Sequence, residues 1–278
     1  MTHVADVVLI DAARTGDKSA LAGLLRRHQD AVYRFGRLMC GSAEDAKDVV
    51  QDTMMKVLEK VGDFRGESSF RTWLYAIARS QCSRRYRRGK REVSGALTGA
   101  TIGQVADPAP SAADQLASEG DRNIVRQAIE GLPEIYKEVL ILRDMEGMTA
   151  PEVAQTLGLT VEAVKSRLHR ARSRLRDQVV AGRAPPPQPA SNRCPNVLEM
   201  MSRHLEQDLT GEDCARMQRH LRDCDHCQRV CDELRGLLDV CAMAGAESAP
   251  DEVRLAVESV LSGIRAGGLR EGASKPDS

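Results

Sequence analysis

Aromatic residues make up only 3% of this 278-residue chain, with one tryptophan, three phenylalanines and four tyrosines. Strands favour aromatic and β-branched residues. Here the apolar share is carried by Leu, Val, Ala and Met at helical spacings, so an all-α chain of two or three small domains is expected. No stretch approaches the roughly 18–20 uninterrupted apolar residues of a membrane helix. The N-terminus, MTHVADVVLIDAARTGD, lacks both the basic start and the apolar core of a secretory signal. A cytoplasmic protein with no membrane partner is the expectation. Net charge is also absent, with 40 Lys+Arg against 40 Asp+Glu. That balance conceals an asymmetry: residues 1–190 carry 29 basic against 24 acidic residues and residues 191–278 carry 11 against 16, giving +5 and −5. Opposite signs permit a contact between the two parts of the chain.

Cysteine is missing between Cys82 and Cys194, yet six of the eight cysteines lie beyond that gap: Cys194, Cys214, Cys224, Cys227, Cys231 and Cys241. In a reducing compartment, clustered cysteine points to metal or redox chemistry rather than to disulfides. The run His220-x3-Cys224-x2-Cys227-x3-Cys231 would project its thiols and imidazole from one side of a single helix. Four such ligands suffice for one tetrahedral ion. Cys40 and Cys82 stand alone on helical segments and read as buried thiols; His204 reads as a surface residue.

Composition divides the chain. Residues 17–91 form a helical block in which Leu21, Leu24, Leu25, Val32 and Phe35 mark one amphipathic helix. Val49, Val50, Met54, Val57, Leu58 and Val61 mark a second, started by the box Ser42-x-x-Asp45. A Gly/Ser loop at 62–69 leads into a third, carrying Phe70, Trp73, Leu74, Ile77 and Ala78. Residues 92–120 are small and unpatterned, which predicts a flexible linker. Residues 121–180 form a second helical block, the prolines of 181–193 predict an extended spacer, and 194–241 is the Cys-rich block. Residues 242–278 are expected to give a C-terminal helix and a disordered tail.

Within the second block, Thr149-Ala-Pro-Glu152 supplies an N-cap, an early proline and a glutamate at the third helical position. Ala154 and Gly158, four apart, would let a second helix cross closely. Thr160 would cap that helix, with Val164 and Leu168 holding it to the core, which is helix-turn-helix spacing. From Lys165 onward it carries Lys165, Arg167, Arg170, Arg172, Arg174 and Arg176 against a lone Asp177, a one-sided charge suited to phosphate contact. Lys165, Ser166, His169 and Arg170 lie near its start, where side chains reach base edges; the later arginines suit the backbone. In the first block, Arg71, Arg79, Arg84, Arg85, Arg87, Arg88, Lys90 and Arg91 occur with no acid among them, beside Phe64, Phe70 and Trp73. Aromatics next to a basic track hold unstacked single-stranded bases, although Phe70 and Trp73 also suit a core.

The stretches Asp45-Ala-Lys-Asp-Val-Val-Gln-Asp-Thr53, Phe64-Arg-Gly-Glu-Ser-Ser-Phe-Arg-Thr-Trp-Leu-Tyr-Ala-Ile-Ala78 and Gly131-Leu-Pro133, together with the helix-turn-helix, resemble regions 2 and 4 of extracytoplasmic-function (ECF) sigma factors of bacterial RNA polymerase. The resemblance implies that Asp48, Gln51, Asp52 and Lys56 dock on the polymerase core. It implies that Phe64, Arg65, Gly66, Glu67 and Ser68 take a flipped base of the minus-10 element of promoter DNA, with Arg79, Ser80, Arg84 and Arg88 along the adjoining strand. Lys165, Ser166, Arg167, His169 and Arg170 would read the minus-35 duplex. Arg79-Ser80 stands where many relatives have Asn after the Ile-Ala pair, which bears on base preference.

Cys194, His220, Cys224 and Cys227 resemble the ligand set of zinc-binding anti-sigma domains. The whole run, with Cys214, Cys231 and Cys241 as further ligands, resembles the C-terminal domain of CorE-like ECF sigma factors. That likeness implies a metal cofactor, copper or cadmium/zinc, whose binding controls DNA binding; thiolates suit all three. A zinc-containing redox switch, in which Cys224 and Cys227 form a disulfide and expel the metal, is the alternative. A thiol-disulfide enzyme is disfavoured because this CxxC does not follow a strand, and no enzymatic activity is expected.

Overall fold

The computed structural model describes residues 2–93, 113–181, 194–244 and 248–266. Among them are twelve α-helices and no strand: α1 Thr2–Arg14, α2 Lys18–Cys40, α3 Ala43–Lys60, α4 Phe70–Val93, α5 Ala113–Glu130, α6 Glu134–Leu140, α7 Ala150–Leu157, α8 Val161–Val180, α9 Val197–Leu205, α10 Gly211–Asp223, α11 Asp225–Ala244 and α12 Asp251–Ala266. The segments read as linker and spacer lie mostly outside the described residues, as does the tail beyond Ala266; α5 already starts at Ala113, inside the stretch read as linker.

The chain divides into two compact units, residues 1–85 with 248–278, and residues 86–247. In the first, α2 and α3 pack along each other, and α1 and α12 are added to them. Asp17 caps α2 by accepting from the backbone N–H groups of Ser19 and Ala20, and Ser42 caps α3 by accepting from that of Asp45. Gly36 is where the pair crosses most closely, since a Cβ there would stand 3.3 Å from the Ala46 Cα. Leu24, Leu25, Val32, Phe35, Val49, Met54 and Val57 are fully buried between them. The sequence reading had no element before residue 17. Helix α1 is nonetheless held by Ile10 and Ala13, both buried, and by Asp6, whose carboxylate accepts from Arg27 (2.5 Å) and meets His28 (3.0 Å).

Helix α12 belongs to this unit although it follows the Cys-rich block in sequence. Val253, Val257 and Leu261, at i, i+4 and i+8, are buried as one apolar stripe, as an amphipathic helix requires. At its flanks Arg26 pairs with Glu258, Lys47 with Glu252, and Arg254 with Asp30.

In the second unit, α6 runs into a π-helical turn at Ile141–Met145, and both pack with α7 against α8. Thr149 and Glu152 form a complete capping box on α7, and Thr160 caps α8 by accepting from the Ala163 N–H. Gly158 does not serve the close crossing expected of it. A Cβ there would meet nothing within 4 Å, and its φ of +66° makes it the left-handed C-cap of α7. Blocks 121–180 and 194–241, read as separate domains, share this unit, with α9 on α8 and α11 on α5, α8 and the π-turn.

Val257→Asp is expected to detach α12 while leaving α1–α3 folded. Losing about 2 kcal/mol of apolar burial should lower amide-exchange protection over residues 251–266 by about 30-fold, with protection in α2 and α3 retained. Equal loss throughout the unit would show that α12 is integral to its folding.

Candidate nucleic-acid interface and metal centre

Helix α8 places Lys165, His169, Arg172 and Arg176 at i, i+4, i+7 and i+11, on one face. That face meets acids of the Cys-rich block: Lys165 Nζ lies 2.9 Å from Asp208, Arg172 Nη2 2.8 Å from Glu206, and Arg176 Nη2 2.6 Å from Glu233. His169 Nδ1 is buried there without a hydrogen-bond partner. Ser166 and Arg170 remain exposed, and Arg167 is half-buried. The predicted base-reading residues are thus divided, with Ser166 and Arg170 open to solvent and Lys165 engaged by a carboxylate of the same chain.

Arg172 is the centre of this contact and is 2% exposed. Its Nε and Nη2 donate to both oxygens of Asp144 (2.9 and 2.6 Å), Nη2 also to Glu206, and Nη1 to the Ser202 hydroxyl (2.9 Å). Arg143 Nε donates to the other Glu206 oxygen at 2.9 Å, so two guanidinium groups balance two carboxylates. Burial acts to lower the Arg172 pKa, but Asp144 and Glu206 outweigh it and hold the pKa above its ordinary value. A bidentate, fully hydrogen-bonded arrangement is what a buried charge requires. The exposed Lys165–Asp208 pair is weak by comparison, although Lys165 holds the Asp208 pKa below its ordinary value.

Of the seven metal candidates, Cys194, His220, Cys224 and Cys227 converge, with ligand atoms all within 4.8 Å of one another. They do not share one helix as the spacing suggests. Helix α10 ends at Asp223, Cys224 is extended (φ −138°, ψ 97°), and α11 starts at Asp225. The break turns His220 and Cys227 toward each other from separate helices, while Cys194 comes from the residues before α9. Two observations fit a metal here. His220 Nε2 is buried without a hydrogen-bond partner, and Cys194 Sγ stands 3.8 Å from Cys224 Sγ, against about 3.8 Å between two thiolates on a tetrahedral ion with ~2.3 Å bonds. Burial, with the neighbouring Cys224 and Cys194 thiols, pushes the Cys227 thiol up to about 12.

The other three candidates stand outside that group. Cys231 and Cys241 are fully buried on α11, where burial raises both thiols, Cys241 to about 12. Cys214 lies 3.5 Å from His204 Nδ1. Cys231 and Cys241 share α11 with Cys227 but are buried in the apolar core, and Cys214 on α10 meets His204, so helical phase did not bring these thiols to the ligand cluster.

In the first unit, Arg65, Gly66 and Glu67 are exposed and Ser68 half-buried, with Gly66 at φ +74°. Phe64, read with them as part of a base-taking surface, is buried instead, its ring tilted against Trp73 (5.2 Å) and edge-on to Phe70 (6.2 Å); it anchors the loop. Arg79 is half-buried, Ser80 and Arg84 are exposed, and the Arg88 side chain lies outside the described residues. On α3, Gln51 and Asp52 are exposed and Asp48 and Lys56 half-buried. Arg85 pairs with Asp48 at 2.7 Å and Asp52 at 3.1 Å. Sequence reasoning passed over Met55, 45% exposed on the same face, and the acids Glu206, Asp208 and Glu233. Their signal was the negative balance of the last 88 residues.

The Sigma-70 region 2 family matches residues 24–92, the Sigma-70 region 4 family residues 122–175, and a zinc-finger family residues 194–228. The ECF RNA polymerase sigma factor SigM of Mycobacterium tuberculosis is 33% identical over 170 residues, 61% of this chain and 82% of that protein. The ECF RNA polymerase sigma-E factor of Escherichia coli is 30% identical, covering 64% and 95%, and SigW of Bacillus subtilis 28%, covering 61% and 94%. The solved structure of CnrH in complex with the cytosolic domain of CnrY is 29% identical, covers 64% of this chain and 99% of that one, and has a TM-score of 0.48. No described helix is long and apolar enough to cross a membrane.

Arg172→Ala leaves Asp144 and Glu206 buried without their shared cation. Denaturant unfolding of the second unit should lose about 3–5 kcal/mol; a loss below about 1 kcal/mol would mean that water already serves those carboxylates. Metal analysis of purified variants should show bound metal lost in Cys194→Ser, His220→Ala, Cys224→Ser and Cys227→Ser. It should be kept at this centre in Cys231→Ser and Cys241→Ser, and loss there would redraw the ligand set.

Proposed function

The chain belongs to the extracytoplasmic-function family of RNA polymerase sigma factors, and from that membership we propose that it directs transcription initiation under the control of a metal bound by its own C-terminal segment. Residues 17–91 would engage the polymerase core through Asp48, Gln51, Asp52 and Lys56 and hold the minus-10 strand with the 64–68 loop, Arg79, Ser80, Arg84 and Arg88. Helix α8 would read the minus-35 duplex with Lys165, Ser166, Arg167, His169 and Arg170. The metal would be copper, or cadmium or zinc.

One observation carries the reading. The basic stripe of α8 that would neutralise DNA phosphates is paired with Asp208, Glu206 and Glu233, carboxylates from the same segment that supplies the metal ligands. Carboxylate and phosphate compete for the same guanidinium and ammonium groups, so DNA must displace the acids or be excluded by them. Cys227 and Glu233 share α11, and Cys194 precedes α9, whose end carries Glu206. A change in metal occupancy would therefore shift both ends of the clamp. By linkage, promoter DNA and polymerase would strengthen metal binding by the factor by which metal strengthens theirs.

The convergence of Cys224 and Cys227 in one cluster supports a second reading, a zinc-loaded redox switch in which these two thiols form a disulfide on oxidation and expel the metal. It requires activation by peroxide or diamide with metal held constant.

In a gel-shift titration with minus-35 duplex, chelated wild-type protein is expected to bind more weakly than protein supplied with its cognate metal from a copper, cadmium and zinc panel. Asp208→Asn with Glu233→Gln should raise metal-free affinity by about tenfold, equivalent to about 1.4 kcal/mol of released restraint. Equal binding with chelator and with every metal, and no gain in the double variant, would overturn the proposal.

A further inference from the structure

The closed centre leaves a second pair of ligand-bearing side chains unexplained. His204 lies at the C-terminal end of α9 and Cys214 in the second turn of α10, with Nδ1 and Sγ 3.5 Å apart. Taking metal–nitrogen bonds of ~2.0–2.1 Å and metal–sulfur bonds of ~2.3 Å, two such ligands on a tetrahedral ion stand about 3.6 Å apart. The pair is therefore already at chelating separation without any movement of the backbone. The same reasoning accounts for the 3.8 Å between the Cys194 and Cys224 sulfurs in the four-ligand centre, which shows that this part of the chain holds ligands at metal spacing in two places.

The two places differ in access. Cys224 and Cys227 are buried, and the four converging ligands would complete a tetrahedral ion. His204 is exposed and Cys214 half-buried, so an ion held by them keeps positions for water or an incoming ligand. Structural sites are closed, whereas sites that exchange or react keep an open position. A thiolate with an imidazole favours thiophilic and borderline ions, Cu(I), Zn(II) or Cd(II), over Mg(II) or Ca(II).

The pair also brackets the restraint on α8. Between His204 and Cys214 the chain carries Glu206 and Asp208, which hold Arg172, Arg143 and Lys165. Gln207, between those two acids, has φ +56°, a non-glycine residue in the left-handed region, where side chains are rarely accommodated without cost. Cross-linking α9 to α10 at this turn would act on the segment that presents both carboxylates.

We propose that His204 and Cys214 form a second, solvent-open site for one thiophilic metal ion, distinct from the Cys194–His220–Cys224–Cys227 centre. Binding replaces the Cys214 thiol proton with the metal and releases that proton to solvent. Resting further on the proposed control of DNA binding, this is the site at which an exchangeable ion reaches the acids clamped on α8.

The test is a Cd(II) titration of the full chain carrying one zinc in the closed centre, followed by thiolate-to-metal charge-transfer absorbance and by metal analysis after gel filtration. Wild type should take one further ion with release of one proton. His204→Ala and Cys214→Ser should keep the first zinc and a wild-type circular dichroism spectrum, and should lose more than about 100-fold in affinity for the second ion, beyond the loss typical of changes outside the ligand shell. Cys231→Ser should keep both ions. A wild-type stoichiometry of one, or a second ion unaffected by both substitutions, overturns the site. A second ion that binds as described but leaves minus-35 duplex affinity the same in wild type and His204→Ala upholds the site and overturns its link to DNA binding.

Discussion

A single buried guanidinium holds the second unit in its described arrangement. Arg172 lies on the helix proposed to read the minus-35 duplex, yet it is enclosed by Asp144 from its own helical block and by Glu206 and Ser202 from the Cys-rich block. A charge this deeply buried is tolerable only when its partners are in place. The three elements must therefore stay together, or the arginine must return to water or find another anion. A phosphate backbone is such an anion. The proposal that the Cys-rich block competes with the promoter rests on this choice between carboxylate and phosphate.

The metal centre draws its meaning from where its ligands sit. Cys194, His220, Cys224 and Cys227 come from the residues before α9, the end of α10, the break before α11 and the first turn of α11. Bound metal would fix the mutual orientation of these three helices; α11 carries Glu233, and Glu206 and Asp208 lie in the turn between α9 and α10. Burial, with the neighbouring Cys224 and Cys194 thiols, drives the Cys227 thiol up to about 12. Metal loading releases protons, so occupancy falls as pH falls. Helix α12 closes the chain by returning to the first unit, where an apolar stripe and flanking ion pairs hold it to α2 and α3.

Much of this was legible in the sequence because local rules decided it. The caps at Ser42, Thr149 and Thr160, the apolar periodicity of α2, α3 and α8, and the all-α class follow from short-range chemistry, and the structure shows them where the pattern puts them. What periodicity could not supply was any geometry that depends on a break or on a partner. The run from His220 to Cys231 has perfect helical phase, yet Cys224 is extended, so phase did not predict which thiols converge. Phe64 read as a base-facing aromatic, but a chain with so few aromatics uses it to anchor the loop beside Phe70 and Trp73. Arg172 and Arg176 belonged to an undivided basic helix in the sequence; only tertiary packing shows that one face of it is already neutralised. Helix α1 lacked a recognisable start and is held by tertiary contacts of Ile10, Ala13 and Asp6.

The central claim is that DNA and the acids of the Cys-rich block exclude each other on α8. Hydrogen exchange of the full metal-free chain, with and without saturating minus-35 duplex, tests it directly. Displacement predicts faster exchange over α9 and the 206–210 turn as Glu206 and Asp208 lose their cations, together with slower exchange over α8. Protection of α8 with no change in α9 or the turn would mean that DNA binds the exposed Ser166–Arg170 face while the clamp stays shut, and would contradict the claim.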